Sequence, residues 1–210
     1  MKHKKMEDWD HYIQLFAEKD PYNHLRNIHH GSVMYNHTNP LLTHASIQNE
    51  DTYKAKELRQ KFKKPIIYDE CRYEGNINWS WGNLTAEEMV NKFWRGVTNG
   101  GFVGHGETYL TENPVKWGYK SDAEMWWSKG GILRGKSQER IKFLKQIVES
   151  APGYLTPVVT YEWWMPYSAV GYKDEYFLNY YNMDQPVAQI VKLPENSKYK
   201  AEIINGWDMT

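Results

Sequence analysis

Four short stretches of this sequence put acid–base side chains where an apolar run stops. His29 and His30 close LRNIHH, and His44 and Gln48 fall within LLTHASIQ. Asp69 and Glu70 close PIIYDE, and His105 and Glu107 follow GGFVG. If each run is a strand of a parallel sheet, these residues sit at its C-terminal end, where α/β folds place their chemistry. A strand end needs no charge for packing. The same residues could also be solvated loop side chains. A converging metal set is the third option, but no recognisable ligand spacing exists, so the expectation is no metal and no cofactor.

Glu70 is the sharpest of these residues. A carboxylate behind an apolar strand suits a nucleophile or a general base; the bland alternative is an ion pair with Arg72 or His44. Glu74 could contact a substrate, or be a positioning or solvated carboxylate. Glu107 could hold hydroxyl groups or set the charge of Glu70. Cys71 has no fixed histidine partner in sequence and reads as a packed thiol. Trp79, Trp81, Trp126 and Trp127 lie in loops beyond strand ends, where core packing explains an indole less well.

The elements that must position these residues can be read from periodicity. Residues 6–18 form a helix with Trp9, Tyr12, Ile13 and Phe16 on one face, closed by Asp20-Pro21. Strands are expected at 25–30, 41–48, 65–70 and 101–109. A surface helix over 50–63 turns Ala55, Leu58 and Phe62 inward. Thr85-Ala-Glu-Glu88 is a capping box, and the helix behind it buries Met89, Val90, Phe93 and Val97 until Gly100-Gly101 ends it. Ser137 is expected to cap a last helix burying Ile141, Leu144, Ile147 and Val148. Alternating strands and helices imply a parallel sheet. Beyond Ala151-Pro152-Gly153 only strand patterns remain: VVTYEWW, EYFLNYYN, VAQIVKL and KYKAEIING, an antiparallel sandwich or part of one. The expected division is therefore residues 1–152, α/β, and residues 153–210, β.

Composition narrows the function classes. The 210 residues hold 26 Lys and Arg against 26 Asp and Glu, so the net charge is zero. Nucleic acid and anionic membranes both demand clustered positive charge, so neither is an expected partner. No run approaches the ~18 apolar residues of a membrane span. One cysteine excludes an internal disulfide. MKHKKMEDWD has no apolar stretch after its lysines, so a cytoplasmic location is expected. The 10 Trp, 16 Tyr and 6 Phe exceed what one core of this size needs. Spare aromatic rings point to a stacking surface, and sugars present flat C–H faces to indoles.

Several segments resemble a known family. PLLTHASIQ, KPIIYDECRYEGN, WGNLTAEEMVNKFWRGVTNGGFVGHGETY and WWSKGG are similar to the C-terminal half of the glycoside-hydrolase-like TIM barrel of apiosidase-like, DUF4038-type proteins. The tail ending LPENSKYKAEIINGWDMT resembles the beginning of the DUF5605-type β domain appended to some of them. The resemblance implies that residues 25–30, 41–48, 65–70 and 101–109 are barrel strands five to eight. It also implies that Glu70 holds the place of the nucleophile in retaining glycosidases. His44, Gln48, His105 and Glu107 would orient Glu70 and the sugar hydroxyls, Glu74 would contact the substrate, and Trp79, Trp81, Trp126 and Trp127 would form platforms for an oligosaccharide or glycoside. Such a barrel has its general acid/base just after the fourth strand, outside this chain; Asn49-Glu50 follows the sixth. A whole barrel takes roughly 250 residues, so the expectation is an internal fragment or truncated product. Its open edges, with Ile28, Ile66 and Val103 lacking their packing layer, would favour a homodimer or association with a separate N-terminal half barrel. The competing expectations are a non-catalytic carbohydrate-binding protein and an interaction module.

Overall fold

The computed structural model of the protein describes residues 5–30, 33–77, 80–104, 108–110, 134–162, 164–195 and 197–210. Helix α1 (Met6–Lys19) is followed by strands β1 (His29–His30) and β2 (Ala45–Gln48). A short 3-10 turn leads into α2 (Ala55–Phe62), then β3 (Ile66–Glu70) and β4 (Glu74–Gly75). Helix α3 (Ala86–Thr98), β5 (Phe102–Val103), β6 (Thr108–Tyr109) and α4 (Ser137–Glu149) complete the α/β part. Strands β7 (Thr156–Pro157), β8 (Ser168–Tyr172) and β9 (Tyr176–Tyr180) follow.

The result is a mixed α/β fold. One sheet is parallel throughout, in the order β1-β2-β3-β5. Strands β4 and β6 pair in parallel beside it, and β7-β8-β9 form a separate antiparallel sheet. The alternation of β2 and β3 decides which face meets the helices. Ala45, Ile47, Ile66 and Tyr68 are buried with Ala55, Leu58 and Phe62 of α2. Their neighbours Ser46, Ile67 and Asp69 therefore belong to the other face. Ile66 is thus covered within this chain, and Ile28 is buried with Ile13, Tyr35 and Leu42. Neither lacks a packing layer, contrary to expectation; Val103 too packs against the buried cluster under α2.

Sequence and structure differ in instructive places. The expected strand over 101–109 is two pieces in two sheets, β5 beside β3 and β6 beside β4. On α1, Ile13 is buried, whereas Phe16 is 65% exposed. The Thr85–Glu88 capping box forms as expected, with both reciprocal hydrogen bonds. Ser137 does not cap α4: it is the first helical residue, and another side chain takes over the cap. In the last part only EYFLNYYN coincides with a strand. Ser168–Tyr172, whose first four residues are all buried, is a strand that the sequence pattern does not predict, and residues 187–193 and 198–206 join no ladder among the described residues.

The core does not stop at residue 152. Met89, Val90, Phe93 and Trp94 of α3, Leu144 of α4, and Leu155, Val170 and Leu178 of the antiparallel part form one buried cluster. Thr98 and Ser168 join their hydroxyls across this boundary at 2.6 Å. The Trp207 ring lies 4.0 Å from the Arg140 guanidinium, and Gly206 sits on the Trp94 indole.

Candidate functional site

The C-terminal ends of β1, β2 and β3 bring Ser46, Asp69, Glu70 and His29 together. His29 Nδ1 lies 3.1 Å from Asp69 Oδ2 and 3.2 Å from Ser46 Oγ. The Ser46 hydroxyl donates to the same Asp69 oxygen. On the opposite side of the ring, His29 Nε2 lies 3.8 Å from Glu70 Oε2, in ion-pair range. The Trp81 indole N–H donates to Glu70 Oε1 at 2.8 Å.

Two consecutive strand residues ordinarily point to opposite faces. Here the register slips between Ile47 and Gln48, so that Tyr68 pairs with Ile47 but Glu70 with Gln48. Asp69 is the extra residue of this bulge, and such a bulge re-aims side chains. That local irregularity lets Asp69 and Glu70 reach one imidazole. Just beyond, Arg72 has φ of 78°, in the left-handed region that a non-glycine residue seldom occupies. The turn sends the chain off into β4 and the loop that returns Trp81 to Glu70. Arg72 holds that loop through the Ser80 carbonyl and Asn83 Oδ1, and pairs with Glu50 at 3.1 Å.

The expected site residues separate into groups. Glu70 stands at the C-terminal strand end, but its partners are His29 and Trp81 rather than Arg72 or His44. His44 bonds Asn27 at 2.8 Å and Thr43 at 2.9 Å. Burial pushes the His44 imidazole below its ordinary pKa, and the charge of nearby Asp69 works against that shift. Gln48 lies beside Glu70 in register. The Trp81 N–H is committed to Glu70, which fixes the indole beside that carboxylate. Trp79, Trp126, Trp127, His105 and Glu107 lie outside the described residues.

Glu74 is not a surface ligand. It is 4% exposed, and its carboxylate accepts the backbone N–H groups of Lys136 and Ser137 and the Ser137 hydroxyl. It is the cap of α4, supplied from a remote strand. Gly135 makes this possible: at φ +128°, a Cβ there would lie 2.6 Å from Thr108 and 2.8 Å from Glu74 Oε2. Cys71 is fully buried, and burial raises its thiol pKa to about 12. It is a packed thiol rather than a nucleophile.

His29 and Ser46 are the members of the cluster whose part the sequence concealed. His29 was visible only as one of a pair at a strand end. Ser46 sits in a strand as an ordinary small residue. A cleft of about 230 Å³ lies to one side, lined in part by Glu50, Arg72, Lys92 and Arg95. Its charges largely serve one another: Glu50 meets both Arg72 and Lys92, and burial holds the Lys92 amine below its usual pKa. Among the described residues, no group of three or more His, Cys, Asp or Glu side chains is arranged to hold a metal ion.

Comparison with known proteins gives two findings. The profile of a family described as "Domain of unknown function (DUF5605)" matches residues 163–210. A solved structure named a "putative glycoside hydrolase" from Bacteroides vulgatus superposes on this chain with a TM-score of 0.75 at 30% identity. The match takes in 100% of this chain and 42% of that one, so this chain spans less than half of its solved neighbour. No curated protein matches the sequence.

Proposed function

We propose that this chain carries the nucleophile side of a two-carboxylate glycoside hydrolase site, with Glu70 as the nucleophile. The observation that carries the reading is the placement of Glu70: the C-terminal end of a parallel strand, one carboxylate oxygen held by Trp81 and the other facing His29. The likeness to a chain named as a glycoside hydrolase gives independent support. In a retaining mechanism Glu70 attacks the anomeric carbon and the second carboxyl group, ≈ 5–5.5 Å away, protonates the leaving oxygen. Asp69 shares the His29 ring with Glu70, so it stands beside the nucleophile and not across the sugar. The acid belongs to a part of the site outside this chain. His44, Gln48, His105 and Glu107 orient sugar hydroxyls, and the loop tryptophans line the subsites.

In this reading the four-stranded parallel sheet and its helices are the second half of a (β/α)8 barrel. The open edges of the sheet, with Phe102 46% exposed on one of them, favour pairing with a second copy or with a separate first half. Light scattering on the purified chain distinguishes a monomer from such a pair.

Covalent trapping tests the nucleophile. A 2-deoxy-2-fluoro glycoside with a dinitrophenolate leaving group needs no acid, because that group departs unprotonated. A panel of pentose and hexose reagents should leave one sugar on the peptide containing Glu70, read by mass spectrometry, and Glu70→Gln should abolish it. Adduct on another residue, or none with any reagent, overturns the assignment. Sugar binding without labelling favours the alternative of a carbohydrate-binding protein. In an assembled enzyme, Glu70→Gln should remove nearly all turnover while leaving sugar affinity within roughly tenfold, about 1.4 kcal/mol.

A further inference from the structure

We infer that His29 is a positioning residue: its ring ties Asp69 to Glu70 and so holds the Glu70 carboxylate against Trp81. Its functional meaning rests on the reading of Glu70 as nucleophile, but its geometry does not.

Asp69 and Glu70 are adjacent in sequence, and the bulge turns both toward the same point. Two carboxylates that converge repel unless a donor or a cation stands between them. Arg72, close by in sequence, is engaged by Glu50, Asn83 and the Ser80 carbonyl. The group that does stand between the carboxylates is the His29 imidazole, one nitrogen toward each.

The ring transmits position because it is rigid. Ser46, 2% exposed, donates to Asp69 Oδ2, and that oxygen with Ser46 Oγ faces His29 Nδ1. Fixing the Nδ1 side of a planar ring fixes where Nε2 points. Nε2 faces Glu70 Oε2 at 3.8 Å, in ion-pair range, while the Trp81 N–H hydrogen-bonds Oε1. A carboxylate hydrogen-bonded at one oxygen and faced by an anchored ring at the other is restricted in orientation, as in-line attack requires. The chain of contacts therefore runs Ser46, Asp69, His29, Glu70, Trp81, across three strands and a loop.

The Trp81 indole N–H is a built-in reporter, and it is read without any sugar. The experiment is ¹⁵N–¹H NMR of the full chain labelled at its tryptophans, with Trp81→Phe to assign the signal. His29→Asn keeps an amide where Nδ1 stands but lacks the reach to Glu70; His29→Gln places its amide where Nε2 stands. His29→Asn should displace the Trp81 indole resonance and speed its solvent exchange at least tenfold. His29→Gln, which restores the reach toward Glu70 without the Asp69 anchor, should change less than His29→Asn, and the Trp94 indole should not move in either. A Trp81 signal that His29→Asn leaves unmoved, an equal change in both variants, or an equal change at Trp94 overturns the inference. Failure of covalent trapping would remove Glu70 as nucleophile and leave this result untouched.

Discussion

Glu74 and Ser137 stand 63 positions apart and meet in one hydrogen-bonded cluster, the carboxylate accepting the backbone N–H at 3.0 Å and the hydroxyl at 2.6 Å. With the Lys136 N–H at 2.9 Å, this carboxylate satisfies the first turn of α4 and sits where the helix dipole favours negative charge. Glu74→Ala leaves these buried donors without an acceptor, so a loss of about 2–4 kcal/mol is expected. Glu74→Gln keeps one carbonyl oxygen and should lose about half as much. Urea unfolding measures the loss. Hydrogen exchange should show the first turn of α4 opening first, and uniform loss of protection would argue against a cap.

Cys71 should be silent toward thiol reagents in the native protein at pH 8 and react on unfolding. Its thiol stays protonated in the fold to about pH 12, whereas the unfolded chain releases that proton from about pH 9. The folded state then binds more protons than the unfolded one, so stability falls as pH rises above 9, by up to about 1.4 kcal/mol per pH unit. Comparing Cys71→Ala with the parent between pH 9 and 10 isolates this slope. Rapid modification of native Cys71 by a disulfide reagent would refute the burial argument.

His44 gives the opposite pH dependence. Burial lowers its folded pKa, so the folded state holds fewer protons than the unfolded chain as pH falls through about 6.5. Stability should therefore decline on acidification from that point. Asp69 opposes the shift, so Asp69→Asn should steepen the decline attributed to His44, and His44→Gln should flatten it. Urea midpoints at pH 7.5 and 5.5 for the three proteins check the order, and an unchanged difference in His44→Gln would exclude the contribution.

Gly206 approaches the Trp94 indole so closely that an added Cβ would lie 2.9 Å from Nε1 and 3.0 Å from Cε2. Trp94 is itself stacked on Tyr180, so the ring has little room to retreat. Gly206→Ala should cost about 1–2 kcal/mol by overpacking, with a shift in tryptophan emission. An unchanged emission spectrum and midpoint would mean that the C-terminal turn does not press on α3.

Much of the α/β part was legible because periodicity reports burial. Leu58 and Phe62, Met89 and Phe93 are inward as their spacing requires, and the Thr85–Glu88 box is a purely local device. Of the candidate site, the strand-end positions of His29, Asp69 and Glu70 were legible, but their convergence was not. That convergence depends on a one-residue slip between two strands, and no period in sequence announces a bulge. The role of Glu74 was hidden for a different reason: a cap is usually sought within three residues of the helix start, and this one arrives from a remote strand. In the last part, strand propensity misled. Ser168–Gly171 is a run of small residues and one valine buried near α3, whereas the aromatic VVTYEWW run leaves Val159 61% exposed.

Helix α3 is a party wall. Its Met89, Val90, Phe93 and Trp94 belong to one buried cluster with Val170 and Leu178 of the antiparallel sheet. The region matched by the DUF5605 profile therefore cannot be exchanged between proteins like a cassette, for the recipient would have to bring a helix already carved to receive it. A change of side-chain volume on either side of the wall is felt by the residues packed on the other. Transplanting the antiparallel strands alone would expose Val170 and Leu178 to solvent and strip the far side of α3.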